Sequence, residues 1–179
     1  MKSLLVLAGA IDGLNERVGR AVRWLVLAAS LVSAGNAAVR YLFNASSNAW
    51  LEIQWYMFAA MFLLAAGYAL RHDEHVRVDI FYQRLSLKSQ AWVDLLGGLL
   101  FLLPAAVLIG WLAWPMFLQS WTISEMSPDP GGLIRWPVKL LVPLGFGLLA
   151  LQGVSEIIKR IGILSGDYHP EHGYTRPMA

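Results

Sequence analysis

The densest set of chemistry-bearing side chains in this 179-residue chain is Arg71, His72, Asp73, Glu74, His75, Arg77 and Asp79, seven ionisable residues in nine positions. Two imidazoles beside three carboxylates are the donor types a divalent cation takes. A metal site needs that spacing answered by a second ligand cluster elsewhere in the chain, and none exists, so no metal ligand is assigned. Arg77, Asp79 and His75 are expected instead to fix this stretch by bonding helix ends. The chain has no cysteine, which excludes disulfides, thiolate metal sites and thioether haem attachment. Asn36, Arg40 and Glu52, with Gln54 and Gln152, are the other polar groups of interest, all within or beside long apolar runs.

Those runs decide the class of protein. Hydrophobic residues make up 57% of the chain and charged ones 15%, with a mean hydropathy of +0.53. Soluble domains carry nearer a quarter charged residues. Eighteen consecutive uncharged positions separate Glu52 from Arg71, long enough at 1.5 Å per residue to cross a hydrocarbon layer of roughly 30 Å. The expected fold is an all-α integral membrane protein with four spans, at about 22–43, 50–70, 91–118 and 137–158. Residues 1–20 form an N-terminal amphipathic segment and 161–179 a polar tail. Leu4, Leu7, Ala8, Ile11, Leu14 and Val18 recur at helical spacing in the first segment, which either lies in the membrane surface or extends the first span. A cleaved signal peptide is not expected, because Asp12, Glu16, Arg17 and Arg20 follow the apolar run where a small-residue cleavage site would stand. A second surface-lying helix is plausible in the connection between spans two and three, where Val78, Phe81, Tyr82 and Leu85 share a face. Ser86 is placed to cap the following helix, Pro104 to bend it, and Pro137 to start the last.

None of the four spans carries His, Asp, Glu or Lys near its middle, and all four histidines lie outside them. Proton relays, intramembrane haem sites and ion pathways usually need such groups at depth. The expectation is neither an enzyme nor a self-sufficient pump, with no catalytic residue, no substrate ligand and no cofactor. Membrane lipid is an obligatory partner, and a net charge of +2 gives no reason to expect nucleic acid. Eleven Lys and Arg residues fall on the side of both termini and three on the other, which predicts cytoplasmic ends. Asn36 is expected to bond a neighbouring helix, and Arg40 and Glu52, at facing ends of spans one and two, to form an ion pair. Small residues at four-residue spacing, Ser30, Ala34 and Ala38, allow close helix approach.

The order WLEIQWYMF, GYALRHDEHVRVDIFYQRLS, QAWVDLLG, SEMSPDPGGLIRWPVK and VPLGFGLLALQG resembles the small, DctQ-like membrane subunit of tripartite ATP-independent periplasmic (TRAP) transporters over residues 20–162. Glu52 and the block from Arg71 to Asp79, especially His75 to Asp79, are its most specific part. Many members of that family have two adjacent acidic residues where this chain has Glu52 and Ile53. The resemblance implies a four-helix scaffold partner of a large transporting subunit, working in the bacterial inner membrane. The ion-gradient-driven uptake it serves takes an organic acid or similar solute delivered by a periplasmic binding protein. Asn36, Arg40, Glu52, Trp55, His75, Arg77 and Asp79 are then structural or subunit-interface candidates. Glu125 and Asp129 are candidates in a periplasmic loop. A membrane-anchor subunit of a respiratory enzyme is the alternative, and such anchors usually bring histidines within their spans.

Overall fold

A computed structural model describes residues 1–74, 82 and 84–168. Its regular elements are helical: α1 (Lys2–Val22), α2 (Trp24–Phe43), α3 (Asn48–Leu64), α4 (Ala66–Arg71), α5 (Leu87–Gly97), a π turn (Gly98–Leu102), α6 (Leu103–Thr122) and α7 (Trp136–Ser165). They join into four runs long and apolar enough to cross a membrane, Lys2–Phe43, Asn48–Arg71, Leu87–Thr122 and Trp136–Ser165. The chain is an all-α, four-span membrane protein. His75, Arg77, Asp79 and most of the proposed second surface helix lie outside the described residues.

The ends of these runs have local causes. Ser86 accepts the Ser89 amide and caps α5, as its position before an apolar run predicts. Asp73 and Ser124 adopt left-handed backbone after α4 and α6, and Gly166 does so after α7. At each, the following amide reaches back five residues, as Glu74 does to the Ala69 carbonyl, Glu125 to Ser120 and Asp167 to Gly162. This closes the orphan carbonyls of a helix end. Pro104 has no amide and its ring crowds the carbonyl four residues back. The chain answers with a π turn immediately before it, in which the Leu103 amide bonds the Gly98 carbonyl. The expected disturbance is there, as a widened turn.

α7 is the hub, packing against α1, α3, α4, α5 and α6. Its buried residues are Gly145, Gln152, Gly153, Ser155, Ile158 and Gly162, nearly all small or polar. Close approach explains the choice. A methyl on Gly145 would stand 2.7 Å from the Leu63 carbonyl oxygen, and one on Gly67 2.2 Å from Asn15 Oδ1. Large apolar side chains point outward, among them Phe62, Phe101, Trp111 and Leu112. Lipid tails are as apolar as leucine, so burying such side chains between helices gains little and packing of small residues takes over.

α1 is helical, as the spacing of its apolar residues predicts. It turns Ala8, Ile11, Asn15, Gly19 and Val22 inward and leaves Leu4, Leu7 and Leu14 exposed. The apolar stripe divides, with Leu4, Leu7 and Leu14 on the outer side and Ala8 and Ile11 turned to the bundle beside polar Asn15. Along α1, Leu5 lies near Gly162, Asp12 meets Ser155 and Asn15 meets Gln152, so α1 runs antiparallel to the end of α7. Only Arg23 interrupts the path from α1 into α2. α7 continues to Ser165, beyond the expected end near 158. Gly145→Ala should therefore lower the stability of the purified protein in mild detergent by about 1–3 kcal/mol. Gly147→Ala, whose methyl meets nothing within 4 Å, should leave it unchanged, and equal unfolding midpoints would contradict this packing.

Candidate functional site

Polar chemistry is gathered at the two ends of the bundle. Glu52 and Arg71, nineteen positions apart, mark those ends about 28 Å apart along the helix. At the Arg71 end, four helices are tied by one network. Asn15 Nδ2 donates to Gln152 Oε1 at 3.0 Å, and Gln152 Nε2 donates to Asp12 Oδ1 at 2.8 Å and to Glu156 Oε1 at 3.0 Å. Ser155 Oγ donates to Asp12 Oδ1 at 2.7 Å, and Lys159 pairs with both Asp12 and Glu156. Glu16 receives Arg71 Nη1 at 2.7 Å and lies 2.9 Å from His72 Nε2. Tyr82 donates to Asp94 Oδ2 at 2.7 Å, and Arg160 Nε lies 3.1 Å from the same oxygen. Every carboxylate here has a cation or a hydrogen-bond donor beside it, which is what groups at the edge of an apolar phase require.

Asn15 Oδ1 is buried here with no hydrogen-bond donor among the described residues. It rests against Gly67, where only a glycine fits. Beside this network a cavity of about 360 Å³ is lined by residues that include Asp94, Gly97, Leu102, Gly153 and Arg160. It lies at one end of the bundle, so it offers no passage along the spans.

At the Glu52 end the structure replaces an expected contact. Glu52 is 3% exposed and makes no ion pair with Arg40. It accepts the Ser127 hydroxyl and the Leu133 amide, the latter at 2.6 Å. The expectation of an Arg40–Glu52 pair overlooked that a loop 75 to 81 positions away has unpaired donors to satisfy. Around this carboxylate the loop between α6 and α7 is held at several points. Met126 and Ile134 form an antiparallel bridge, Tyr56 donates to the Ile134 carbonyl at 3.0 Å, and Asn48 to that of Pro130 at 2.9 Å. Glu125 pairs with Lys139, while Asp129 is exposed and its amide donates to Ser127 Oγ at 3.2 Å.

The remaining candidates sit on open surface. Arg40 is exposed near the end of α2, Trp55 is 60% exposed on α3, and Asn36 is half-buried with no hydrogen bond to another described residue. Gln54 bonds its own helix at the Trp50 carbonyl, and Gln152 does join helices as expected. Of the twenty residues of α2, Ala29 alone is fully buried. Ser30, Ala34 and Ala38 are all exposed. Asp12, Asn15 and Ser127 escaped the sequence reading. Gln152, Ser155, Glu156 and Lys159 at three- and four-residue spacing were the available signal for the first two.

Lys139, bonded to Glu125, and the nearby Arg135 hold that carboxyl below the usual glutamate range. A lowered folded-state value means that the clamp contributes fully above the ordinary glutamate range and is lost as pH falls through the lowered value. The Trp121 and Trp136 rings, 4.4 Å apart and edge to face, flank the loop. Their near-ultraviolet circular dichroism should hold steady from neutral pH and change in that acid range, and Glu125→Gln should remove the change. A transition that persists in the variant would contradict this assignment.

A search of curated proteins found no match. A scan of known families matches residues 29–162 to the tripartite ATP-independent periplasmic transporters, DctQ component. The matched region covers α3, α4, α5, α6 and the loop held by Glu52, together with most of α2 and α7. With three quarters of the sequence matched and four spans in place, the chain belongs to the DctQ family, the small permease component of TRAP transporters.

Proposed function

We propose that this small permease subunit acts as a static scaffold, binding a large transporting subunit mainly through its first two spans. The observation that carries this reading is α2. It packs on α3 and joins α1, but nearly its whole outer circumference is unoccupied by the rest of the chain. That outer face includes Ser30, Ala34 and Ala38, whose small size suits close approach of another helix. The Ser30 hydroxyl already bonds the Val26 carbonyl, so the surface presents little unsatisfied polarity to a partner. Asn36 and Arg40 add polar contacts near one end.

The lack of ionisable side chains between Glu52 and Arg71 and between Asp94 and Glu125, apart from tyrosines, suits a subunit that holds position while another component moves substrate. The eleven-to-three distribution of basic residues supports cytoplasmic termini in a bacterial inner membrane. The loop around Glu52 then faces the periplasm, where Glu125, Asp129 and their neighbours are placed to meet a soluble binding protein. TRAP systems combine a DctQ-type subunit with a large membrane subunit and such a binding protein. The solute is an organic acid or a similar small molecule, and uptake is driven by an ion gradient. Substrate and ion sites belong to the large subunit in this reading.

Extraction of the tagged chain from its native membrane in mild detergent should bring down a large multi-span protein in near-equal amount. Ala34→Trp should reduce that recovery on the order of ten-fold by blocking close approach. Leu108→Trp, on the exposed surface of α6, should leave it unchanged. Recovery of the chain alone or with a redox enzyme would contradict the scaffold reading.

A further inference from the structure

Glu52 is used in a way that its position does not require. A carboxylate at the head of a span can meet water directly, yet this one is turned inward and both of its oxygens are committed to the α6–α7 loop. Oε1 takes the Ser127 hydroxyl, Oε2 takes the Leu133 amide, and the Ser127 amide closes the ring on the Leu133 carbonyl at 2.9 Å. Gly132 is pressed against this arrangement. A methyl there would lie 2.7 Å from Glu52 Oε1 and 2.5 Å from Ser127 Cβ. The anchor thus comes from α3, and the loop is built to close over it.

The anchoring leaves a defined surface. Pro128, Asp129, Pro130 and Gly131 are exposed at the tip, and Met126 is exposed beside them. Two prolines restrict the backbone further. Such a tip fits a partner surface with an apolar patch and one basic side chain opposite Asp129. A loop already fixed in its bound shape avoids the ordering cost of association.

We infer that Glu52 is a positioning residue for the binding protein: it touches neither substrate nor partner, and it holds the Pro128–Gly131 tip in the shape that docks. This rests on the reading that the loop faces the binding protein. Glutamine is a weaker anchor: its one oxygen can accept the Leu133 amide, but its NH₂ then meets Ser127 only if that hydroxyl turns round to accept, and the charge that strengthens both contacts is lost.

The test uses the full transporter in proteoliposomes, with loaded binding protein titrated from limiting to saturating. Glu52→Gln, and separately Gly132→Ala, should raise the half-saturating concentration of binding protein on the order of ten-fold. Maximal rate and recovery of the large subunit should be retained. Amide exchange over residues 124–134 should rise in both variants, and Glu52→Asp should restore part of the loss. Faster exchange with unchanged half-saturation would overturn the inference, because the loop's shape would then be irrelevant to docking. Unchanged exchange would overturn it too, by removing Glu52 as the anchor. A fall in maximal rate without a change in half-saturation would mark Glu52 as merely structural. A wild-type complex indifferent to binding protein would overturn the underlying reading of the loop, and is distinguishable because it appears before any substitution is made.

Discussion

Close approach of small residues along α7 is the contact on which the other helices depend. In a bilayer, apolar side chains gain almost nothing by leaving lipid for one another, so helix association needs van der Waals contact at short range and satisfied polar groups. α7 supplies both: Gly145 and Gly153 let α3 and α6 come near, and Gln152, Ser155 and Lys159 bind α1. The result is inverted relative to a soluble bundle. The largest fully buried side chains among the described residues are Gln152, Asn15, Ser120 and Ser155, while many phenylalanines and tryptophans lie on the exterior.

From the same constraint follows the separation of polar groups to two ends. Charges at the middle of a span are costly unless a function maintains them, and the bundle keeps its carboxylates and cations near Arg71 and near Glu52. The Arg71 network ties α1, α4, α5 and α7 together through Asp12, Glu16, Arg71, His72, Asp94, Glu156, Lys159 and Arg160. The Glu52 clamp fixes a loop. Neither forms a path between the two sides, and both give rigidity. On the proposed scaffold reading, α2, the helix least covered by the rest of the chain, is the face left for the large subunit.

Much of this was legible in the residues. Spans two and three announce themselves by uninterrupted apolar runs, Ser86 and Pro137 mark helix starts, and Pro104 marks a disturbed turn whose π form depends on backbone detail that composition does not carry. The α1 spacing predicts a helix but not which side meets the bundle, because hydrophobic periodicity identifies the inward face only when water lies outside. With lipid outside, Leu4, Leu7 and Leu14 face away and the inward positions are Ala8, Asn15 and Gly19. The Glu52 contact was hidden for a different reason. Arg40 is near in sequence and opposite in charge, whereas Ser127 and Leu133 are distant and neutral, and a buried carboxylate is satisfied as well by two hydrogen-bond donors as by a cation.

The most direct test of the scaffold account is transport by the purified large subunit in proteoliposomes, with and without this chain, at equal large-subunit content and saturating loaded binding protein. Uptake that depends on the chain and returns when it is supplied during reconstitution is the predicted result. Full-rate uptake by the large subunit alone would contradict it.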